Sequence, residues 1–217
     1  VFADELEADT AWVARVERWN AEVGPVAATV LGKSSAPLDR NRPEATIGDF
    51  ITDAMRFATK ADIAMQNPGG MRANMAAGPV TRGMVYDIMP FDNTIVTMEL
   101  TGAEVRRALE QAMRGDRITQ VSGIRYVLDM NAPAMSRVIS ITNADGSAFD
   151  EARVYKVAVN NFMASGGDSY DALAGGRNKT ESGQVIRGAM EDWVRERCKG
   201  GAVLEIKPDG RIQHAPR

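Results

Sequence analysis

Histidine and cysteine are almost missing from these 217 residues, which hold one of each, His214 and Cys198. A single cysteine excludes an intramolecular disulfide and any thiolate metal cluster. A single histidine in the polar stretch "DGRIQHAPR" cannot complete a zinc site or a Ser-His-Asp triad, and it reads as a solvated tail side chain. Positive surplus is missing too. With 26 Lys and Arg against 29 Asp and Glu, the net charge of −3 gives no footprint for DNA or RNA. No apolar run approaches the ~18 residues of a membrane span. The opening "VFADELEADTAWVARVERWN" has neither an initiator Met nor a basic-then-apolar signal sequence, so Val1 reads as a cut end.

What is present is ordinary globular composition, 44% hydrophobic and 25% charged, in a chain long enough for one sizeable core. Residues 4–23 carry Leu6, Trp12, Val13, Val16, Trp19 and Val23 at mostly helical spacing, which predicts an amphipathic helix. A short strand is expected at 26–31. Ile47, Phe50, Ile51, Ala54 and Met55 then share one face of a helix for which Thr46 is the expected N-cap, and "DIAMQN" follows as a strand. In "NTIVTMELTGAEVRRALEQAMR" a strand at 94–100 leads into a capping box of Thr101 and Glu104. The helix after it should bury Val105, Ala108, Leu109, Ala112 and Met113. Strands are expected near 123–130, 138–143 and 154–160. A last helix after Ser182 should turn Val185, Ile186, Met190, Trp193 and Val194 inward. The pattern predicts an α+β (mixed α/β) fold, with mixed sheet layers packed against helices in one domain over 25–217. A helical arm over 1–24 precedes it.

Three loops carry more glycine and polar side chains than turns need. In "QNPGGMRANM" (66–75) paired glycines let the backbone approach a ligand, and Arg72 can fork onto a phosphate or carboxylate. A Gly-Gly turn beside an exposed arginine is the commoner meaning, and no Lys-Ser/Thr pair follows as an NTPase loop requires. In "MPFDN" (89–93) Pro90 fixes the backbone before Phe91, and Asn93 offers an amide. In "NNFMASGGDSYDAL" (160–173) Phe162 stands between a strand and the Gly166–Gly167 hinge, with Asp168 just past it. Two phenylalanines from separate loops can clamp a flat heterocycle, each stack contributing ~1–3 kcal/mol whatever the base. Asn93 could then read the ring edge, Asp168 accept both hydroxyls of a ribose, and arginines serve a phosphate. The competing reading makes Phe91 and Phe162 core plugs and Arg72 a surface residue.

"NPGGMR", "MPFDNTIVTMELTGAEV", "QVSGIRYVLD" and "YKVAVNNFMASGGDSY" resemble, in order and approximate spacing, the C-terminal domain of the 5′-nucleotidase family. That family includes UDP-sugar hydrolases and 2′,3′-cyclic-nucleotide phosphodiesterase/3′-nucleotidases. The resemblance runs from about Arg40 to Tyr170. It implies a nucleoside-monophosphate site in which Phe91 and Phe162 stack the base, Asn93 lies near it and Asp168 binds the ribose. Arg72 would grip phosphate, with Asn67 at the head of its loop and Gly123 at the base pocket. The sequence departs from the family at Pro68 and in "DRNRPEATIG", where Arg42 or Arg40 is left to fill an arginine's role.

The resemblance also implies an N-terminal metallophosphoesterase domain in cis with two divalent metals and the catalytic His-Asp pair. It implies a periplasmic or secreted parent. One histidine cannot supply those ligands, so this chain alone is expected to bind nucleotide and hydrolyse nothing. The cyclic phosphodiesterase/3′-nucleotidase sibling is an open alternative. So is a module of the same fold that contacts a non-nucleotide partner, as in sulfur-oxidising relatives.

Overall fold

The computed structural model describes residues 9–41 and 43–216. A central five-stranded sheet has the order β5(Gln120–Ser122), β2(Ile63–Gln66), β8(Val154–Asn160), β4(Thr94–Thr101), β9(Arg177–Val185). β2 and β8 run parallel, and β4 and β5 run antiparallel to their neighbours. Strand alternation turns Ile63, Met65, Val157 and Val159 to one face and Ala64 and Ala158 to the other, so each face builds its own core. On the first lie α4(Gly102–Met113) and a second sheet, β10(Ile212–His214), β6(Ile124–Leu128), β7(Val138–Asn143). On the second pack α2(Thr46–Thr59) and α7(Ile186–Arg197), with Phe50 against Trp193 at 5.6 Å between ring centroids. The remaining elements are α1(Thr10–Ala27), α3(Arg82–Ile88), the short α5(Asn161–Ala164) and α6(Asp171–Ala174), and a ribbon of β1(Val30–Ser34) with β3(Gly78–Thr81). The mixed α/β fold expected from the sequence is the one observed.

Both strongly periodic helices form where the spacing predicts them. Ile47, Phe50, Ile51, Ala54 and Met55 of α2 are completely buried. Thr101 and Glu104 close the capping box: the Thr101 hydroxyl accepts from Glu104 N at 3.2 Å, and the Glu104 carboxylate accepts from Thr101 N at 2.7 Å. Arg177 adds a fork onto the same carboxylate at 2.9 and 3.0 Å. That fork, with the capping bonds, pulls the Glu104 carboxyl down to about 2.

Several expectations are corrected. Helix α1 continues to Ala27, so the strand expected at 26–31 starts at Val30. The Asp9 side chain caps α1, and Leu6 lies outside the described residues. The apolar stripe of α1 is present, yet no residue of that helix is buried, and Trp12, Val16, Trp19 and Val23 are all exposed. Thr46 does not cap α2; its hydroxyl instead accepts from Asp39 N at 2.8 Å, tying down the preceding loop. The last helix, expected after Ser182, starts only at Ile186, because the stretch 177–185 is strand β9, an exposed sheet edge against β4. His214 sits in β10, paired in parallel with Leu128 of β6, and is exposed.

Candidate functional site

The sheet's directions decide which loops meet. β2 and β8 are parallel, so both end at the same edge; β4 is antiparallel to β8, with Ile95 opposite Asn160, so it begins there. The loops after β2, before β4 and after β8 therefore converge, as in other sheets where ligand loops gather at strand ends. They enclose a cleft of about 240 Å³ lined by Asn67, Gly69, Gly70, Phe91, Asn93, Phe162 and Asp168. Neither ring is a core plug, for Phe91 is 41% and Phe162 44% exposed.

The hinge "SGG" explains how Phe162 is presented. Gly166 takes a left-handed φ of 92°, and a Cβ on Gly167 would stand 2.5 Å from the Phe162 ring. Only a glycine lets the backbone lie flat beneath that ring. Asp168 and Ser169 follow at φ 58° and 68°, an uncommon pair of left-handed residues, and they turn the Asp168 carboxylate into the cleft. Asn67 Nδ2 donates to Asp168 Oδ2 at 2.8 Å, and Arg117 lies 3.7 Å from Oδ1 while donating to the Asp168 carbonyl at 3.3 Å. Phe91 is held by α7. Arg187 donates to the carbonyl of Met89 at 3.0 Å and to that of Phe91, and it pairs with Asp92. Asn93 O accepts from Ile186 N at 2.9 Å. The Asn93 side-chain amide has no protein partner among the described residues.

Arg72 stands at the rim beside Phe91. Its guanidinium carbon is 5.9 Å from the ring centroid, and its Nη1 donates to Gly69 O at 3.3 Å. Arg40 is not brought into the aromatic cleft. It lines a separate depression of about 290 Å³ with Pro68, Met71 and Asn74, and donates to Met71 O at 3.3 Å. Arg42 lies outside the described residues.

Gly123 is far from the rings. β5 runs antiparallel to β2 with Gln120 opposite Gln66, so only the start of β5 reaches the cleft edge and Gly123 follows its opposite end. There its φ is +93° and a Cβ would meet the Asp62 carbonyl at 2.0 Å, which is reason enough for glycine. It lines a separate cavity of about 630 Å³ with Arg56 and Arg125. Sequence reasoning missed Arg117, Arg187, Gln66 and Asn160, all of which reach the cleft's walls through other residues; no spacing in the sequence links them to it.

Among the described residues no group of three or more His, Cys, Asp or Glu side chains could hold a metal ion. The two-metal centre implied by the resemblance has no donor set here. What the cleft itself offers is stacking, hydrogen bonding and charge. Among the same residues no helix is long and apolar enough to cross a membrane.

Residues 25–175 match the family described as 5′-nucleotidase, C-terminal domain. The chain is 32% identical over 216 residues to the trifunctional nucleotide phosphoesterase protein YfkN of Bacillus subtilis, covering 91% of this chain and 15% of the relative. It superposes on a 5′-nucleotidase precursor from Thermus thermophilus with a TM-score of 0.85 and 33% identity, over 93% of this chain and 42% of that one. A sulfate thiohydrolase, SoxB, of Thermus thermophilus shares the fold at a TM-score of 0.76 and 19% identity, over 99% of this chain and 40% of that one. The chain thus spans less than half the length of each of these proteins.

Proposed function

Because the chain belongs to the 5′-nucleotidase C-terminal domain family, we propose that it holds the nucleotide for a phosphoester hydrolase whose metal centre lies in a separate, N-terminal domain. The base lies between Phe91 and Phe162, Asn93 meets its edge, and Asp168 accepts the ribose hydroxyls. Arg72, at the rim, meets the phosphate, with Arg40 and Arg42 as further candidates for that role. The observation that carries this reading is that loops separated by many residues bring two half-exposed rings, a free amide and a carboxylate into one cleft. A core-plug reading requires buried rings, and a partner-protein surface has no need of a two-ring clamp. On this reading the metal ions and the hydrolytic step belong to the adjoining domain, and the parent protein is periplasmic or secreted.

A second reading has one observation in its favour. The Bacillus relative is described as trifunctional, and a clamp that holds base and ribose does not by itself fix which ester is cut. On that reading the same cleft serves a 2′,3′-cyclic-nucleotide phosphodiesterase/3′-nucleotidase. Titration calorimetry of the 217-residue chain with AMP, adenosine and ribose 5-phosphate tests the main proposal. Adenosine should bind, AMP should bind more tightly, and Arg72→Ala should remove the added benefit of the phosphate. A chain that binds ribose 5-phosphate but not adenosine would rule the aromatic clamp out.

A further inference from the structure

Asp168 stands on a left-handed stretch of loop that turns its carboxylate into the cleft, with Arg117 3.7 Å from Oδ1. Its other oxygen, Oδ2, is held by a relay of buried amides that begins at a backbone N–H. Met163 N donates to Asn160 Oδ1 at 2.7 Å. A backbone N–H can only donate, so the Asn160 oxygen must face it and Asn160 Nδ2 must point the other way. That nitrogen donates to Asn67 Oδ1 at 2.9 Å and to Gln66 Oε1 at 3.2 Å. Gln66 Nε2 donates to the same Asn67 oxygen at 3.0 Å. With its oxygen accepting from two donors, Asn67 has its nitrogen left for Asp168 Oδ2, at 2.8 Å. Asn160 and Gln66 are 0% exposed and Asn67 is 4% exposed, so water cannot substitute for these bonds. Gly70 belongs to the arrangement, since a Cβ there would stand 2.2 Å from Gln66 Nε2.

We propose that Asn160, which does not line the cleft, is a positioning residue. It sets which way the Asn67 amide faces, and Asn67 in turn holds Asp168 Oδ2 so that the other carboxylate oxygen is presented to ligand hydroxyls. The proposal rests on the reading of Asp168 as the ribose-binding group. Its chemical consequence is selectivity: the relay matters for ligands with vicinal hydroxyls and not for the stacked base. Were Asn67 reversed, its oxygen would face the carboxylate and push Asp168 away.

The test compares adenosine with 2′,3′-dideoxyadenosine by calorimetry, in the parent chain and in Asn160→Ser. Serine keeps an oxygen to cap Met163 N but has no amide to orient Asn67. The parent should prefer adenosine, and Asn160→Ser should lose roughly tenfold or more in adenosine affinity while binding the dideoxy compound as the parent does. The side-chain ¹⁵NH₂ resonance of Asn67 should move in the unliganded variant. Asn160→Asp, nearly the same shape and also an N-cap, supplies the same comparison if the serine variant does not fold. If the variant retains the parent's preference, or loses both ligands equally, the relay has no positioning role even though Asp168 still reads the ribose. If the parent itself does not distinguish the two ligands, the ribose reading falls and takes this inference with it.

Discussion

Replacing Phe162 by alanine removes one wall of the clamp. The ring rests with one side on the Gly167 backbone and is 44% exposed, so about half its surface is already removed from water. Full burial of a phenylalanine contributes about 1.5–3 kcal/mol, so truncation should cost folding only about 1–2 kcal/mol. A domain stable by about 5–15 kcal/mol tolerates that loss and remains folded. Binding should suffer more. A base stacked on an aromatic side chain contributes about 1–3 kcal/mol, so adenosine affinity should fall roughly five- to 150-fold. Ribose 5-phosphate, which has no base, should bind Phe162→Ala as it binds the parent. Calorimetry with both ligands, together with a circular dichroism melt, separates the two effects. Unchanged adenosine affinity in a folded Phe162→Ala would refute the stacking argument. An equal loss for both ligands would mean that the ring supports the loop and not the base.

Three other perturbations test what surrounds the cleft. Arg187→Met should release the loop that carries Phe91, because it removes donors to the Met89 and Phe91 carbonyls and the partner of Asp92; adenosine affinity should fall about tenfold with ribose 5-phosphate binding unchanged, as calorimetry reads directly. Asp49 is 0% exposed, neither of its carboxylate oxygens has a hydrogen bond, and burial, partly offset by the Arg211 guanidinium at 3.5 Å, pushes its carboxyl up to about 8. The native state therefore binds this proton more tightly than the unfolded chain, so stability should fall as pH rises from about 4 to about 8, and urea melts of Asp49→Asn should lack that component of the slope. Glu104 has the opposite sign: with its carboxyl pulled down to about 2, its stabilisation is complete above its ordinary value and is lost as pH falls toward 2. Thermal melts of Glu104→Gln, which keeps the capping geometry but not the charge paired with Arg177, should show a weaker dependence on pH between 2 and 5.

Much of the fold was legible because local chemistry and tertiary packing agree in it. α2 and α4 announce themselves by apolar spacing, and Thr101 with Glu104 marks the start of α4 before any packing is considered. β9 was not legible. "RNKTESGQV" has no apolar alternation because it is an exposed edge strand, held by backbone pairing to β4. The end of α1 was misread because Gly24 and Pro25, ordinarily breakers, lie within its final turn. The stripe on α1 was legible in the spacing, but spacing does not tell what covers a stripe, and its Trp12, Val16, Trp19 and Val23 are exposed.

For the site, the residue types in three loops named the cleft's lining, and the sheet's strand directions then brought those loops together. Gly123, put at the base pocket by the family resemblance, instead follows the end of β5 away from the cleft, because β5 runs antiparallel to β2. Asn160 and Arg187 escaped notice because their work is done through a neighbour's amide or carbonyl, an arrangement that exists only after folding.

Proton NMR of the chain with adenosine bears on the central claim without any mutation. A base held between two phenyl rings should have its H2 and H8 resonances shifted upfield, with intermolecular NOEs to the ring protons of both Phe91 and Phe162. Binding with NOEs to neither ring, or to residues around Gly123 and Arg125 instead, would contradict it.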